Sequence, residues 1–212
     1  MKFFEEVVDR ATIEAAKSLG AALGERFYLA GGTAIALQLR HRISLDLDLF
    51  SGTNELRDRD RDSILRALRP AGGLEVVENS EGTLNLRIDG AAVSLFHYPY
   101  PLVHVVAGKW QGLPVADLRD IGAMKLSAVV GRGSKKDFID LFFLAKKLGL
   151  RASLETAEGR FRDHPGFTIA ALKALVYFED AEKESMPRMR KPADWEEMKR
   201  FFRREVRALF RP

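Results

Sequence analysis

The chain has 212 residues, 46% of them hydrophobic and 30% charged, and no cysteine. That is enough material for a real hydrophobic core over one or two domains, so a disordered chain is excluded. The missing thiols exclude disulfide stapling, thiolate catalysis and Cys-based zinc sites. Lys and Arg total 34 against 30 Asp and Glu, a surplus of +4 too small to make the whole molecule a general nucleic-acid binder; where it sits matters more.

In chain order, Phe3 to Leu23 reads as an amphipathic helix, with Phe4, Val7, Val8, Ala11, Ala15 and Leu19 recurring at three- and four-residue steps. Glu5, Glu6 and Asp9 stand where a signal peptide needs its apolar run, and no stretch approaches the roughly 18 apolar residues of a membrane span. The expectation is a soluble cytoplasmic protein without membrane contact. The histidines, His41, His97, His104 and His164, show no metal-ligand spacing. A short apolar run, Phe27 to Ala30, stops at Gly31-Gly32 and is followed by the helical TAIALQLRH. Ser44 to Phe50 then alternates strictly, as a strand with one apolar and one polar face does. From Glu55 to Arg69 the sequence predicts a charged helix. There Arg57 with Asp60, Asp58 with Arg61 and Arg59 with Asp62 pair three residues apart on a solvated face.

Pro70-Ala-Gly-Gly ends that helix. Three strands are predicted next, Leu74 to Glu78, Thr83 to Ile88 and Ala91 to His97, with Asp89-Gly90 as a type I′ hairpin turn. A loop around Tyr98-Pro-Tyr-Pro101 leads into a stretch without clear pattern up to Pro114. Beyond it nearly everything reads as helix: Asp117 to Val130, Lys135 to Leu148, Ser153 to Asp163, Thr168 to Phe178 and Asp194 to Phe210. The expected fold class is α+β, with a small mixed-sheet α/β domain over residues 1–115 and a helical domain over 116–212 that ends in a basic helix.

The chemistry concentrates between Phe27 and Phe50. With Leu45, Leu47 and Leu49 on one face of the strand, Asp46 and Asp48 project from the other, roughly 6–7 Å apart. At an effective dielectric near 20 their repulsion is about 2–3 kcal/mol, which a divalent cation converts into chelation. An exposed polar face is the bland reading of an isolated D-x-D. The upstream context changes it: a strand running into Gly31-Gly32 and then a helix lets backbone approach a ligand and presents free N–H groups to an anion, with the Thr33 hydroxyl beside them. A phosphate cradle and a carboxylate metal site one short helix apart describe a site for a nucleoside triphosphate with Mg²⁺ or Mn²⁺. GRGSKKD at Gly131 to Asp137 lacks P-loop spacing.

The run GGTAIALQLRHRISLDLDLF resembles the signature of the nucleotidyltransferase AbiEii/AbiGii toxin family, a branch of the polymerase-β-like nucleotidyltransferases. Gly31, Gly32 and Thr33 match the turn, and Asp46 and Asp48 match the metal-binding, catalytic carboxylates. The likeness continues in FHYPYPL, Phe96 to Leu102, and in MKLSAVVGRGSKKDFIDLFFL, Met124 to Leu144. It implies Lys125 as a triphosphate ligand and Asp137 as a further catalytic acidic group, both reaching toward the active site. From the residues alone, an acidic first turn equally suits the helix dipole, Asp140 can hold local structure, and Arg132 is either a phosphate ligand or a surface charge. One departure stands out. The superfamily's third carboxylate, the base of the reaction, would fall in AAVSLFHYP, where this chain has Ser94. Either Asp137 takes the role, or the acceptor needs no strong base, or catalysis is impaired.

Lys183 to Pro212 holds ten Lys and Arg against five Asp and Glu, a net of +5 that leaves the remainder slightly negative. Trp195, Met198, Phe202, Val206 and Leu209 form an apolar stripe for packing. The opposite face gathers Lys199, Arg200, Arg203, Arg204 and Arg207, which suits an RNA phosphate backbone such as that of tRNA. No RNA-binding motif with stacking aromatics is recognisable. The resemblance implies transfer of NMP from an NTP to an acceptor hydroxyl, tRNA foremost, in phage defence by a type IV toxin–antitoxin pair with a transcription-regulator antitoxin. A small-molecule nucleotidyltransferase of the same fold and a degenerate, non-catalytic nucleotide- or RNA-binding module are the alternatives.

Overall fold

A computed structural model describes residues 2–209 of the chain. The chain divides into two compact units. The first comprises Met1–Gln38, Ser44–Pro101 and Val105–Asp117, and the second Leu39–Ile43, Leu102–His104 and Leu118–Pro212.

In the first unit the expected single N-terminal helix is broken. A 3-10 turn at Glu5–Val7 precedes helix α1, Arg10–Leu23, because the Asp9 carboxylate accepts from the Thr12 backbone N–H at 2.8 Å and starts the helix afresh. Strand β1, Tyr28–Ala30, runs into helix α2, Gly31–Leu39, then strand β2, Leu47–Ser51, and helix α3, Asp58–Leu68. The hairpin strands β3, Leu74–Ser80, β4, Thr83–Ile88, and β5, Ala91–His97, follow. Asp89 and Gly90 have φ of 47° and 85°, the positive pair that a type I′ turn requires. The stretch without sequence pattern contains two more strands, β6, Gly108–Trp110, and β7, Leu113–Val115, joined through Gln111 and Gly112 at φ 51° and 83°. Three-residue strands are too short to show alternation.

Among the described residues these seven strands form one sheet in the order β3-β4-β5-β2-β1-β7-β6, with β1–β7 and β2–β5 parallel and the other pairs antiparallel. One face carries Leu29, Leu47, Leu49, Leu84, Val93 and Leu95, all buried with Ala15, Ala16 and Leu19 of α1. Helix α1 approaches the β6–β7 turn closely enough that a Cβ on Gly20 would sit 2.0 Å from the Gln111 carbonyl oxygen. The α3 face is not wholly solvated. Arg61 is buried, its guanidinium donating to Asn79 of β3, to the Leu56 carbonyl and to the exposed Asp58, so the cation of one expected surface pair also ties α3 to β3.

The second unit is helical: α4 Leu118–Gly131, α5 Lys135–Leu148, α6 Leu150–Arg160, α7 Phe167–Ala174, α8 Glu179–Glu182 and α9 Trp195–Leu209. The expected helix from Thr168 to Phe178 stops at Ala174, with the short α8 following beyond Phe178, and Phe210, the expected end of the last helix, lies outside the described residues. A Cβ on Gly122 would lie 2.3 Å from Ser153 Oγ, so glycine sets the close packing of α4 on α6. Asp120, fully buried, accepts from the backbone N–H groups of Val103 and His104 at 2.8 and 2.9 Å and from Arg160 at 2.7 Å, which fastens residues 102–104 to this unit. No helix among the described residues is long and apolar enough to cross a membrane.

Candidate functional site

In the first unit the site is organised by the passage from β1 into α2. Gly31 has φ +67°, and a Cβ added there would lie 2.4 Å from Asp48 Oδ2. Glycine is thus required twice, for its backbone conformation and to admit a carboxylate against the first turn of α2. Gly32 follows it, buried in the same turn. Register explains the meeting, since Asp48 stands across from Ala30, the last residue of β1. The alternation holds only from Leu47 onward. Leu45 is 38% exposed rather than packed, and Asp46 precedes the strand as an exposed residue.

That segment is nevertheless fixed. The Thr33 hydroxyl donates to the Asp46 carbonyl oxygen at 2.6 Å and lies 3.0 Å from Ser44 Oγ, while the Ser44 N–H donates to the Val7 carbonyl at 3.0 Å. Thr33 is fully buried and its single hydrogen is committed, so it holds the backbone that carries Asp46.

On the other side of Asp48 in the sheet stands Ser94 of β5, in direct register, then Asn85 of β4 opposite Ser94 and Glu78 of β3 opposite Asn85. Ser94, the residue that stands where the resemblance implies a third carboxylate, is thus the register neighbour of Asp48 and carries a hydroxyl. Asp89 sits in the hairpin turn, its N–H on the Gly73 carbonyl. Parallel to this polar row runs an aromatic one that sequence reading missed. Tyr28 is paired with Phe50 and Phe50 with Phe96, continued by Tyr98 and Tyr100. The only signal for it is the parity of positions 48 and 50 in β2 and 94 and 96 in β5.

In the second unit Lys125, Asp137 and Asp140 form one buried ion cluster. Lys125 Nζ lies 2.7 Å from Asp137 and 2.8 Å from Asp140. Asp137 also accepts from Arg132 Nε at 2.8 Å and from the Ser134 hydroxyl at 2.7 Å. Asp140 accepts from Arg42 Nε at 2.7 Å and lies 2.7 Å from His41 Nε2. Burial pushes Asp137 upward, but Lys125, Arg132 and Ser134 outweigh it and bring its pKa down to about 2. Burial acts likewise on Asp140 and is overcome by Lys125 and Arg42, which hold it well below the carboxylate range. Burial lowers Lys125, yet the two carboxylates beside it raise it on balance. For His41 burial prevails over Asp140 and lowers the pKa, so the imidazole is neutral and donates Nε2–H to the carboxylate. A carboxylate already holding three donors at a pKa near 2 is a poor proton acceptor at neutral pH. The cluster also fixes residues 41–43, whose backbone pairs with residues 188–190.

Helix α9 buries Met198, Phe202 and Val206 of the expected stripe, together with Phe201. Arg200, Arg203, Arg204 and Arg207 line an open groove of about 530 Å³. Lys199 departs from the expected basic face: it is buried, with its ammonium on Glu182 and Glu196.

A family model described as "Nucleotidyl transferase AbiEii toxin, Type IV TA system" matches residues 18–211. An uncharacterised protein of Aquifex aeolicus is 37% identical over 201 residues, covering 93% of this chain and 94% of its own. MenT4, a nucleotidyltransferase toxin of Mycobacterium tuberculosis, superposes with a TM-score of 0.56 at 17% identity, over 92% of this chain and 81% of its own. The antibiotic-resistance factor ANT(2'')-Ia gives 0.53 at 18% identity, over 76% and 94%. At such identities the solved structures speak for the fold alone, and the family match carries the assignment: the chain belongs to the AbiEii family of nucleotidyltransferase toxins of type IV toxin–antitoxin systems.

Proposed function

We propose that this nucleotidyltransferase transfers an NMP from an NTP to an acceptor hydroxyl of RNA, tRNA foremost, in a divalent-metal-dependent reaction. One observation carries the reading: the Asp48 carboxylate lies against the first turn of α2 at Gly31, so an oxygen ligand for a cation and an anion-receptive helix start share one spot. Asp46 and Asp48 supply hard oxygen donors. Among the described residues no three or more His, Cys, Asp or Glu gather into a metal cage, so Asp46 and Asp48 are the donors that would hold a hard cation such as Mg²⁺. Mn²⁺ takes the same donors.

When bound, the ion neutralises triphosphate charge and lowers the pKa of the oxygen it holds. Gly31 and Gly32 receive the phosphates on backbone N–H groups, and Thr33 keeps the Asp46 segment in place. The acceptor oxygen bonds to the α-phosphorus as the bond to the bridging oxygen breaks, and pyrophosphate leaves. Ser94 is no base, and the low pKa of Asp137 gives it a structural part, with Lys125, in the second unit. The acceptor proton then passes to solvent water, with Asp46 and Asp48 as the residues that would hold the cation beside the reacting oxygen. The arginines of α9 offer a separate surface to RNA phosphates. A transcription-regulator antitoxin is the partner that the type IV family description implies, and phage defence in the cytoplasm the setting.

Ser94 beside Asp48 favours a second reading, a degenerate module that binds without catalysis. Incubation with each labelled NTP, Mg²⁺ and total tRNA separates the two. Label is expected in RNA, and Asp46→Ala and Asp48→Ala are each expected to abolish it while leaving the melting temperature within a few degrees of wild type. Full labelling by both variants would falsify the proposed mechanism. Label in a small molecule would redirect it to chemistry like that of antibiotic-modifying enzymes.

A further inference from the structure

We propose that Tyr28, Phe50, Phe96 and Tyr98 form a platform on which a nucleobase stacks beside the carboxylate site. All four lie within the first unit. Side chains two residues apart on a strand share a face, and register partners on neighbouring strands share it too. Asp48 and Phe50 are therefore on one face of β2, Ser94 and Phe96 on the same face of β5, and Tyr28 joins them as the partner of Phe50.

The two rows, one polar and one aromatic, are separated by a single two-residue step of roughly 6–7 Å, a distance that one sugar bridges between its phosphate and its base. The opposite face of the same strands is filled by fully buried Leu29, Leu47, Leu49 and Leu95. The aromatic residues, by contrast, are only part-buried, so core packing leaves a share of their surface to the solvent.

The rings also hold one another in place. Tyr28 and Phe50 lie 6.0 Å apart with planes at 27°, and Phe50 and Phe96 lie 5.3 Å apart at 31°. Tyr98 closes the row edge-on to Phe50 at 5.6 Å. Aromatic side chains on an open sheet face bind unpaired bases through their π-faces, with little demand on base identity. The cradle at Gly31 and the platform lie on either side of Asp48, so a phosphate at the first and a base at the second place the bond-forming region at the carboxylate. Which base stacks, that of the NTP or that of the acceptor strand, depends on the proposed transfer; the platform itself does not.

Binding is therefore measured apart from transfer, with ATP, CTP, GTP and UTP in one arm and a fluorescein-labelled oligoadenylate and its abasic counterpart in the other. Phe96→Leu and Tyr98→Leu are expected to weaken binding of base-bearing probes about tenfold and to leave abasic binding unchanged. Phe96→Tyr and Tyr98→Phe are expected to keep wild-type affinity. A loss confined to the oligonucleotide assigns the platform to the acceptor, and a loss confined to the nucleotides assigns it to the NTP; either supports stacking. Equal affinity of the leucine variants and wild type for every probe, with circular dichroism unchanged, overturns it. If wild type binds base-dependently yet transfers no label, the proposed reaction fails and the platform stands.

Discussion

Replacing Gly31 with alanine tests the carboxylate cradle more sharply than removing the carboxylate does. The added methyl has two separable effects. A non-glycine residue at φ +67° costs about 1–2 kcal/mol, whatever its surroundings. In addition the new Cβ lies 2.4 Å from Asp48 Oδ2, so the carboxylate must retreat by about 1 Å to reach ordinary contact. The first effect predicts a melting temperature lower by roughly 2–8 °C. The second predicts a transfer rate lower by about a hundredfold, the usual consequence of misplacing a reacting group by about 1 Å. Gly90→Ala isolates the first effect. It stands at φ +85° with open space where its Cβ would go, so it should lose comparable stability and keep full transfer. Differential scanning fluorimetry and the labelled-NTP assay read the two quantities on the same samples. Wild-type transfer by folded Gly31→Ala would show that the placement of Asp48 against α2 has no part in the reaction.

The buried cluster makes its own predictions. Asp140→Ala leaves Lys125 and Arg42 without a carboxylate they share, and should cost about 3–5 kcal/mol, seen as a melting temperature lower by on the order of 10 °C. The Asp137 carboxyl is held at about 2 in the folded chain against an ordinary 3.8, so it binds its proton more weakly folded than unfolded. Its stabilisation, about 2 kcal/mol, is complete above the unfolded pKa and is lost as pH falls from about 4 to 2. Asp137→Asn should flatten stability against pH across that window in urea titrations, and an unchanged acid limb would refute the assignment. On α9, changing Arg200, Arg203, Arg204 and Arg207 to Glu should weaken tRNA binding and reduce the slope of log affinity against log salt by about 3 to 4. An unchanged slope would place the RNA elsewhere.

Local features of this chain were legible from sequence because they are set by neighbours. Asp89-Gly90 named its turn, Lys135 to Leu148 named a helix that the structure reproduces residue for residue, and Gly31-Gly32 named a strand-to-helix passage. The alternation around Asp46 and Asp48 begins at Ser44, three residues ahead of the strand, which starts at Leu47. Thr33 and Val7 hold residues 44–46 in a different path from the strand, and neither contact leaves a periodic trace. The partners of Asp140 were out of reach for a plainer reason, since Arg42 lies 98 positions away. Lys125 had the apolar helical neighbours of a buried residue and the charge of a ligand, and only tertiary structure shows that two carboxylates neutralise it in place. Lys199 repeats the lesson on α9, where Glu182 from another helix withdraws it from the basic face.

Ser94 ties these levels together. From sequence it marks a missing carboxylate, and from register it stands next to Asp48 on the face where a base would act. The donors that secure Asp137, Lys125, Arg132 and Ser134, are the same ones that hold its pKa low. On the proposed mechanism, two acidic side chains without a dedicated base would raise the demand on positioning of the acceptor. The proposed stacking on the aromatic row one step from Ser94 would meet that demand. Fixing a base against Phe50 and Phe96 restricts the sugar between it and the phosphate, and orientation of that kind lowers a barrier without moving any proton. Register across β1, β2 and β5 holds these side chains on one face, and a shift of one residue would send Asp48, Ser94 and the aromatic rings to the core face together.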